Sequence, residues 1–106
     1  MSVTPLDARG LEFLLHEWLE VEALTQRPHF AEHSRETFDA ALATAQAIAM
    51  ERFAPFNRRG DLEEPRLVDG RVELVPELRP ALREFIDAGF MAAEADADLG
   101  GMQLPV

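Results

Sequence analysis

The longest uninterrupted helical pattern in the chain runs from Ser34 to Phe53, and it limits the fold more than any other feature. Apolar side chains recur along it at spacings of three and four residues, which is typical of an amphipathic helix. The six alanines in its middle favour helix and allow a neighbouring helix to approach closely. Ser34 is a good cap, and Pro55 disfavours the helical conformation at the preceding residue. We therefore predict a helix over residues 35–53.

A second amphipathic pattern lies at the beginning of the chain and predicts a helix over residues 7–24. Thr4 can cap this helix, or Asp7 can, because Gly10 weakens the first turn. One apolar stripe is formed by side chains three and four positions apart: Leu11, Leu14, Leu15, Trp18 and Val21. His16 stands beside glutamates on or near the polar side, so we expect a surface role for it rather than a catalytic one.

Two short β-favouring runs follow the long helix. Asp69-Gly70 between them is the signal for a two-residue hairpin turn. A lone hairpin is marginal in water, so we expect this one to pack on the helices.

A third helix is predicted over residues 77–88. Pro76 suits its first position, Gly89 suits a left-handed C-terminal cap, and Phe90 can fold back on the last turn. The acidic residues beyond it indicate a mobile connection that ends in Gly100-Gly101.

The sequence therefore predicts a mainly α fold: a small helical domain of about three helices with one short β-hairpin. A chain of 106 residues is one domain at most and buries a modest core. The predicted core comes from the centres of the stripes: Trp18, Phe38, Leu42, Phe53, Leu82 and Phe85.

Composition excludes several functions. The net charge of −10 argues against nucleic acid and against anionic membrane surfaces, because both attract basic proteins. The absence of cysteine excludes disulfides, thiolate metal sites and cysteine nucleophiles. No apolar run approaches the ~20 residues of a membrane helix, and the first residues do not have the pattern of a signal peptide. We therefore expect a cytoplasmic protein without membrane insertion.

The most specific catalytic pattern is "HFAEH", from His29 to His33. It matches the H-x-x-E-H motif, in which two histidines bind zinc and the glutamate acts as a base on one face of a helix. Pro28 precedes this segment and Ser34 caps the next helix, so we predict a loop, in which that geometry fails. We prefer two solvated histidines, with Phe30 anchoring the loop in the core.

Two acidic clusters and a glycine pair are interpreted in the same way. "GDLEE", residues 60–64, lacks the ligand spacing of a calcium loop, so we predict a solvated turn. Glu94, Asp96 and Asp98 alternate with alanines and indicate a solvated linker. Gly100-Gly101 lacks the further glycines and the flanking strand and helix of a phosphate loop. We predict no catalytic, cofactor-binding or metal-binding residue in this chain.

Three segments, in this order, resemble the N-terminal part of the acyl-CoA dehydrogenase family. The first is similar to the extension of the larger bacterial members, at Pro5, Leu6, Phe13, Leu15, His16, Glu17 and Leu19. The second resembles the family's Ala-Pro-Leu-Asn-x-x-Gly-Asp turn and hairpin, at Ala54, Pro55, Asn57, Gly60, Asp61, Gly70 and Val72. The third resembles its Gly-Trp and Gly-Gly-x-Gly-Leu-Pro, at Gly89, Phe90, Gly100, Gly101, Leu104 and Pro105. Phe90 replaces the family's Trp and Gln103 its third Gly.

The resemblance implies two regions. Residues 1–33 would be an N-terminal extension helix and loop. Residues 34–106 would be the start of the family's N-terminal helical domain, truncated after the Gly-Gly–Leu-Pro loop. The family oxidises acyl-CoA thioesters between Cα and Cβ with FAD as hydride acceptor. Its flavin site, catalytic glutamate and acyl tunnel belong largely to later segments, so this chain would be a scaffold or interface portion without an active site.

This interpretation implies FAD and an acyl-CoA substrate for the parent enzyme, but no cofactor in the chain itself. The expected partners are the remaining domains of that enzyme or a second copy of the chain. The alternative is a stand-alone small acidic helical module that binds a partner or itself. We expect the isolated chain to self-associate through the third helix and the apolar side chains of Phe90 and Met91, because the neighbours that would cover them in the parent enzyme are missing.

Overall fold

The computed structural model of the protein describes residues 6–105, so the predicted cap at Thr4 lies outside the described residues. The fold is mainly α with a single two-stranded antiparallel sheet in this range, and the predicted class is confirmed. The regular elements are the helices α1 (Ala8–Glu12), α2 (Arg35–Ile48), α3 (Ala54–Leu62) and α4 (Leu78–Asp87), and the strands β1 (Arg66–Val68) and β2 (Arg71–Glu73).

The first predicted helix is not continuous. Asp7 caps α1 by accepting a hydrogen bond from the Gly10 N–H at 3.0 Å. A π-helical turn, Phe13–Trp18, continues α1, and a 3₁₀ helix, Val21–Gln26, follows after Glu20. Glu20 has a φ of 49°, a left-handed conformation that ends the helix. The prediction of one helix over 7–24 was therefore wrong, although the segment is helical in pieces.

The long helix begins as predicted and ends later. Ser34 and Thr37 form a reciprocal capping box at the start of α2. A π-helical turn, Ala49–Phe53, follows α2 and leads directly into α3. Pro55 lies in the first turn of α3, where its missing N–H is tolerated because first-turn amides need no helical partner. The expected stop near residue 53 was wrong, because Pro55 starts α3, which directly continues α2 and the π-helical turn. We call these three consecutive elements, residues 35–62, the rod.

The hairpin forms at the predicted place but does not pack on the helices. Asp69 and Gly70 have φ values of 51° and 77°, as a two-residue turn with both central residues left-handed requires. Leu67 faces Val72 across the ladder. These two side chains are 77% and 64% exposed, so the expectation of a packed hairpin was wrong. Turn chemistry and cross-strand pairing define this hairpin locally.

The third helix, α4, confirms the predicted range to within a residue. Pro76 lies in the turn before it rather than at its first position. Gly89 has a φ of 91° and donates its N–H to the Ile86 carbonyl at 2.9 Å, as predicted for the cap. The Phe90 ring stacks on Phe85 with centroids 5.4 Å apart, so the predicted return of Phe90 onto the last turn is also confirmed.

The core is smaller than the apolar stripes predicted. The molecule measures 53 × 37 × 17 Å, and its radius of gyration of 17.0 Å exceeds the ~13 Å of a compact domain of about 100 residues. Phe38 is buried as predicted, whereas Trp18 and Leu82 are 69% and 43% exposed. The other predicted core residues are partly buried: Leu42, Phe53 and Phe85. A slab this thin leaves few positions far from water, and the buried apolar side chains in the described range are Phe38, Ile48, Phe56 and Ala81.

Within residues 6–105 there is no helix with the length and apolar content that crossing a bilayer would require.

Candidate functional site

The H-x-x-E-H segment folds as a loop, as predicted. Pro28–Phe30 forms a 3₁₀ turn, and the chain turns again before Ser34 caps α2. The two histidines face different partners: His29 Nε2 lies 3.7 Å from Asp96 Oδ1, while His33 contacts main-chain carbonyls. In the described part of the chain, no three histidine or carboxylate side chains come together as a metal site would need. Phe30 is only partly buried, so it does not anchor the loop in a core.

His33 fastens the loop to the last residues of the chain. Its Nε2 lies 3.0 Å from the carbonyl oxygen of Met102 and 2.9 Å from that of Gln103. Carbonyl oxygens only accept, so Nε2 carries the hydrogen and donates it. Nδ1 lies 3.1 Å from the Thr37 hydroxyl, and the ring stacks on Phe38 at 5.4 Å. Because both ring nitrogens have partners, His33 acts as a structural clasp rather than as a solvated histidine or a free base.

Gln103 completes this clasp from the other side. Its amide oxygen accepts from the Ala97 N–H at 2.8 Å, and its amide nitrogen donates to the His29 carbonyl. Its φ is 54°, in the left-handed region that favours glycine. The acyl-CoA dehydrogenase pattern has glycine at this position, so the backbone keeps the conformation that glycine permits. The glutamine adds side-chain hydrogen bonds that offset the strain.

The acidic stretch before the clasp is ordered, not the mobile connection that we predicted. Four backbone amides near the end donate to earlier carbonyls: Gly101 to Asp96, Met102 to Ala92, Gln103 to Ala95 and Leu104 to Ala93, at 2.9–3.2 Å. A Cβ on Gly101 would lie 2.0 Å from the Ala95 carbonyl oxygen, so this close crossing requires glycine. We use "C-terminal turns" for residues 90–105, which fold back on themselves in this way.

An open cleft of about 850 Å³ lies between the His29–His33 loop, α2 and the C-terminal turns. Its apolar lining includes Ala41, Phe90 and Met102, and its carboxylates are Glu32 and Asp98. Neither lysine nor arginine lines the cleft as the structure describes it. A flavin carries an anionic pyrophosphate, which basic groups or helix N-termini usually hold. The lining of this cleft, as described, therefore supplies no basic side chain for such a pyrophosphate.

His16 is the polar residue whose environment the sequence analysis missed. Its side chain is 2% exposed, and Nε2 lies 2.7 Å from Asp39 Oδ1 on α2. Nδ1 is buried without a hydrogen-bond partner within residues 6–105. The expected surface position was wrong because the π-helical turn, with more residues per turn than an α-helix, rotates His16 inward. The spacing of the apolar residues fits an unbroken α-helix, so the sequence gave no indication of this rotation.

Two of the other acidic candidates lie near basic side chains: Glu63 near Arg59, and Asp96 near the His29 ring. Residues 61–64 are exposed, as expected of a solvated segment, but Gly60–Leu62 is the last turn of α3 rather than a separate turn. Arg59 reaches Glu63 at 3.1 Å and also contacts Glu77. Arg52 contacts Glu84 in the same way, joining the rod to α4. These exposed pairs contribute little stability each. Among residues 6–105, no three carboxylates or histidines come together as a calcium site would need.

With this geometry described, comparison with known proteins supports the resemblance stated above: the chain is similar to an acyl-CoA dehydrogenase. The similar protein is a 3-methylmercaptopropionyl-CoA dehydrogenase of Ruegeria pomeroyi (strain ATCC 700808 / DSM 15171 / DSS-3). Identity is 35% over 91 residues, which is 86% of this chain but 15% of the relative. No protein-family model matches the chain, and no solved structure matches it at a significant level.

Proposed function

We propose that this chain is a scaffold portion of a flavin-dependent acyl-CoA dehydrogenase, without a catalytic group or flavin site of its own. The observation that carries the proposal is the 35% identity over 91 residues, which is 86% of the chain. The chain spans about 15% of that relative's length, so the activity, FAD and acyl-CoA substrate belong to the proposal and not to the observed residues.

The structure suggests what such a scaffold portion does. The clasp of His33 and Gln103 holds the C-terminal turns against α2 and fixes the direction of the chain at Leu104 and Pro105. In an enzyme of this family, those residues would lead into segments that line the acyl tunnel. A fixed chain direction at Leu104 and Pro105 would hold these segments in a defined position relative to the rod. We therefore assign the clasp a positioning role and no chemical step.

The test is to purify from its native source the protein that contains this sequence and to record its visible absorbance. We expect a bound flavin whose absorbance bleaches when 3-methylmercaptopropionyl-CoA or another acyl-CoA is added. The matched control is the 106-residue chain alone, for which we expect no flavin binding at micromolar concentrations. A colourless native protein that ignores acyl-CoA would overturn the proposal.

A second candidate function is a small interaction module that associates with itself. We use "first segment" for residues 8–26, which precede the His29–His33 loop. The observation that favours this function is a set of large apolar side chains on one face of the first segment: Phe13, Leu14, Trp18 and Leu19, which are 49%, 42%, 69% and 61% exposed. The surface predicted from the sequence also keeps exposed apolar side chains on α4, where Leu82 and Ile86 are 43% and 41% exposed. Met91 is 69% exposed, but Phe90 is partly buried against Phe85.

A further inference from the structure

A groove runs along the exposed side of α2. The cleft described above, of about 850 Å³, and a second cavity of about 550 Å³ share Thr44 and Ala88 in their linings, so the two are continuous. Thr37 lies at one end of this groove and Glu51 at the other, about 20 Å apart along the rod. The rod forms one wall, and the end of α4 together with the C-terminal turns forms the other.

The floor of the groove consists of small side chains. Four exposed residues of α2 recur three and four positions apart and therefore lie on one face: Ala40, Ala43, Thr44 and Ala47. The opposite wall is apolar in its middle, at Ala88 and Phe90. Small side chains let two helix axes approach to about 8 Å and leave room for large side chains of a partner. A groove of this length and shape fits one helix of about four turns.

Carboxylates stand at both ends of the groove. Glu32 and Asp98 line the first cavity, Glu51 and Asp87 line the second, and all four are exposed. None of these four forms an ion pair within residues 6–105. In the same range, neither cavity is lined by arginine or lysine. The groove therefore offers an apolar middle between two negatively charged ends.

This distribution of charge is local and does not simply repeat the net charge of the chain. Residues 52–83 contain seven of the ten arginines and six carboxylates, so that stretch is nearly balanced. The rest of the chain contains three arginines and fourteen carboxylates, and it supplies all four unpaired carboxylates of the groove except Glu51 from beside the boundary. The arginines are thus concentrated away from the groove.

We propose that the groove binds an amphipathic helix of a partner polypeptide, with large apolar side chains against the alanine floor and arginine or lysine at both ends. The apolar contacts supply most of the affinity, because they bury surface that both partners otherwise expose to water. The charges at the two ends select a basic partner and fix where it lies along the groove. The proposal goes beyond the scaffold role and stands independently of the flavin enzyme.

The probe is a labelled synthetic peptide of about 15 residues, with a central leucine stripe and arginines at both ends. Fluorescence anisotropy at physiological salt measures its binding to the 106-residue chain, and we expect a micromolar Kd. Thr44→Trp fills the centre of the groove and should raise Kd about tenfold or more. The matched control is Ala31→Trp, at an exposed alanine outside the groove, which should leave Kd unchanged. Circular dichroism of each variant checks that the fold is kept.

A second pair of variants tests the charges. Glu51→Gln combined with Asp87→Asn should raise Kd about threefold or more. Glu22→Gln combined with Glu64→Gln removes the same charge from exposed sites outside the groove and should leave Kd unchanged, because salt screens distant charges.

Four results would overturn the proposal. They are a Kd above about 1 mM, equal binding of a peptide with glutamates in place of the arginines, equal losses in a groove variant and its control, and a dimer of the chain that Thr44→Trp abolishes. The last result would mean that a second copy occupies the groove. None of these results bears on flavin binding by the native protein.

Discussion

Two parts of the chain flank the rod: the first segment and the C-terminal turns. In each case a histidine attaches the flanking part to the amino-terminal half of α2. On the C-terminal side, His33 has three oxygen atoms within 3.1 Å and stacks on Phe38. On the N-terminal side, His16 has one carboxylate oxygen at 2.7 Å and a buried nitrogen without a partner within residues 6–105. The two attachments use the same residue type but differ in how fully its hydrogen-bonding groups are satisfied.

The difference shows how a thin protein orders segments that a core cannot cover. The C-terminal turns hold themselves by backbone hydrogen bonds and need His33 only to dock them. The first segment keeps an apolar face towards water and is docked by the His16–Asp39 pair and an exposed Arg35–Glu12 pair at 3.5 Å, in addition to partial burial. A satisfied polar network confers local order, whereas a half-satisfied one leaves the segment more easily detached.

The buried residue beneath the C-terminal attachment gives the largest predicted effect. Phe38 is 6% exposed and carries the His33 ring. Phe38→Ala should lower the free energy of unfolding by about 3–5 kcal/mol, because a buried aromatic leaves a cavity. Urea denaturation measures it, with Phe13→Ala, a half-exposed phenylalanine, as the matched control. A loss below about 1 kcal/mol would show that Phe38 is not a core residue.

Breaking the C-terminal attachment alone should have the next largest effect. His33→Ala removes bonds to two carbonyls and to Thr37, together with the stack on Phe38, and we expect a loss of about 2–3 kcal/mol. Hydrogen exchange should accelerate at the amides of Met102, Gln103 and Leu104. His29→Ala is the control, since that ring is half exposed and only 3.7 Å from its carboxylate. Equal exchange rates at these amides in both variants would show that His33 does not hold the C-terminal turns in place.

The N-terminal attachment should be the weaker of the two. His16→Ala removes a buried ring and its bond to Asp39, and we expect a loss of about 1–2 kcal/mol with faster exchange confined to residues 8–19. Asp39→Asn should cost less, because an amide oxygen still accepts from Nε2. If His16→Ala lowered the free energy of unfolding more than His33→Ala does, the N-terminal attachment would be the stronger of the two.

The sequence predicted those elements whose signals are local. Ser34 at the cap of α2, Asp69-Gly70 in the hairpin and Gly89 after α4 each determine the backbone within a few residues, and all three are confirmed. The resemblance also agrees with the similarity to an acyl-CoA dehydrogenase that the comparison found.

The failures at the first helix and at the end of the long helix have a common physical cause in the two π-helical turns. Each π-helical turn changes the number of residues per helical turn, and the spacing of the apolar residues did not indicate this change. One turn sends His16 inward and Trp18 outward; the other allows Pro55 to begin α3 instead of ending the rod. The clasp of His33 and Gln103 joins residues 70 positions apart, so its contacts were beyond any local pattern.

The smallest predicted effect concerns Gln103, where two opposing terms nearly cancel. Its left-handed backbone costs a non-glycine residue about 1–2 kcal/mol, and its two exposed amide bonds contribute about 0.5–1 kcal/mol each. Gln103→Gly loses the bonds but relieves the strain, so we expect a change within about 0.5 kcal/mol. Gln103→Ala loses the bonds and keeps the strain, and it should cost about 1 kcal/mol. Urea denaturation of the two variants measures the order. Alanine as stable as glycine would mean that the left-handed backbone at this crossing is not maintained in solution, and the C-terminal turns would then lack the rigidity that distinguishes them from the first segment.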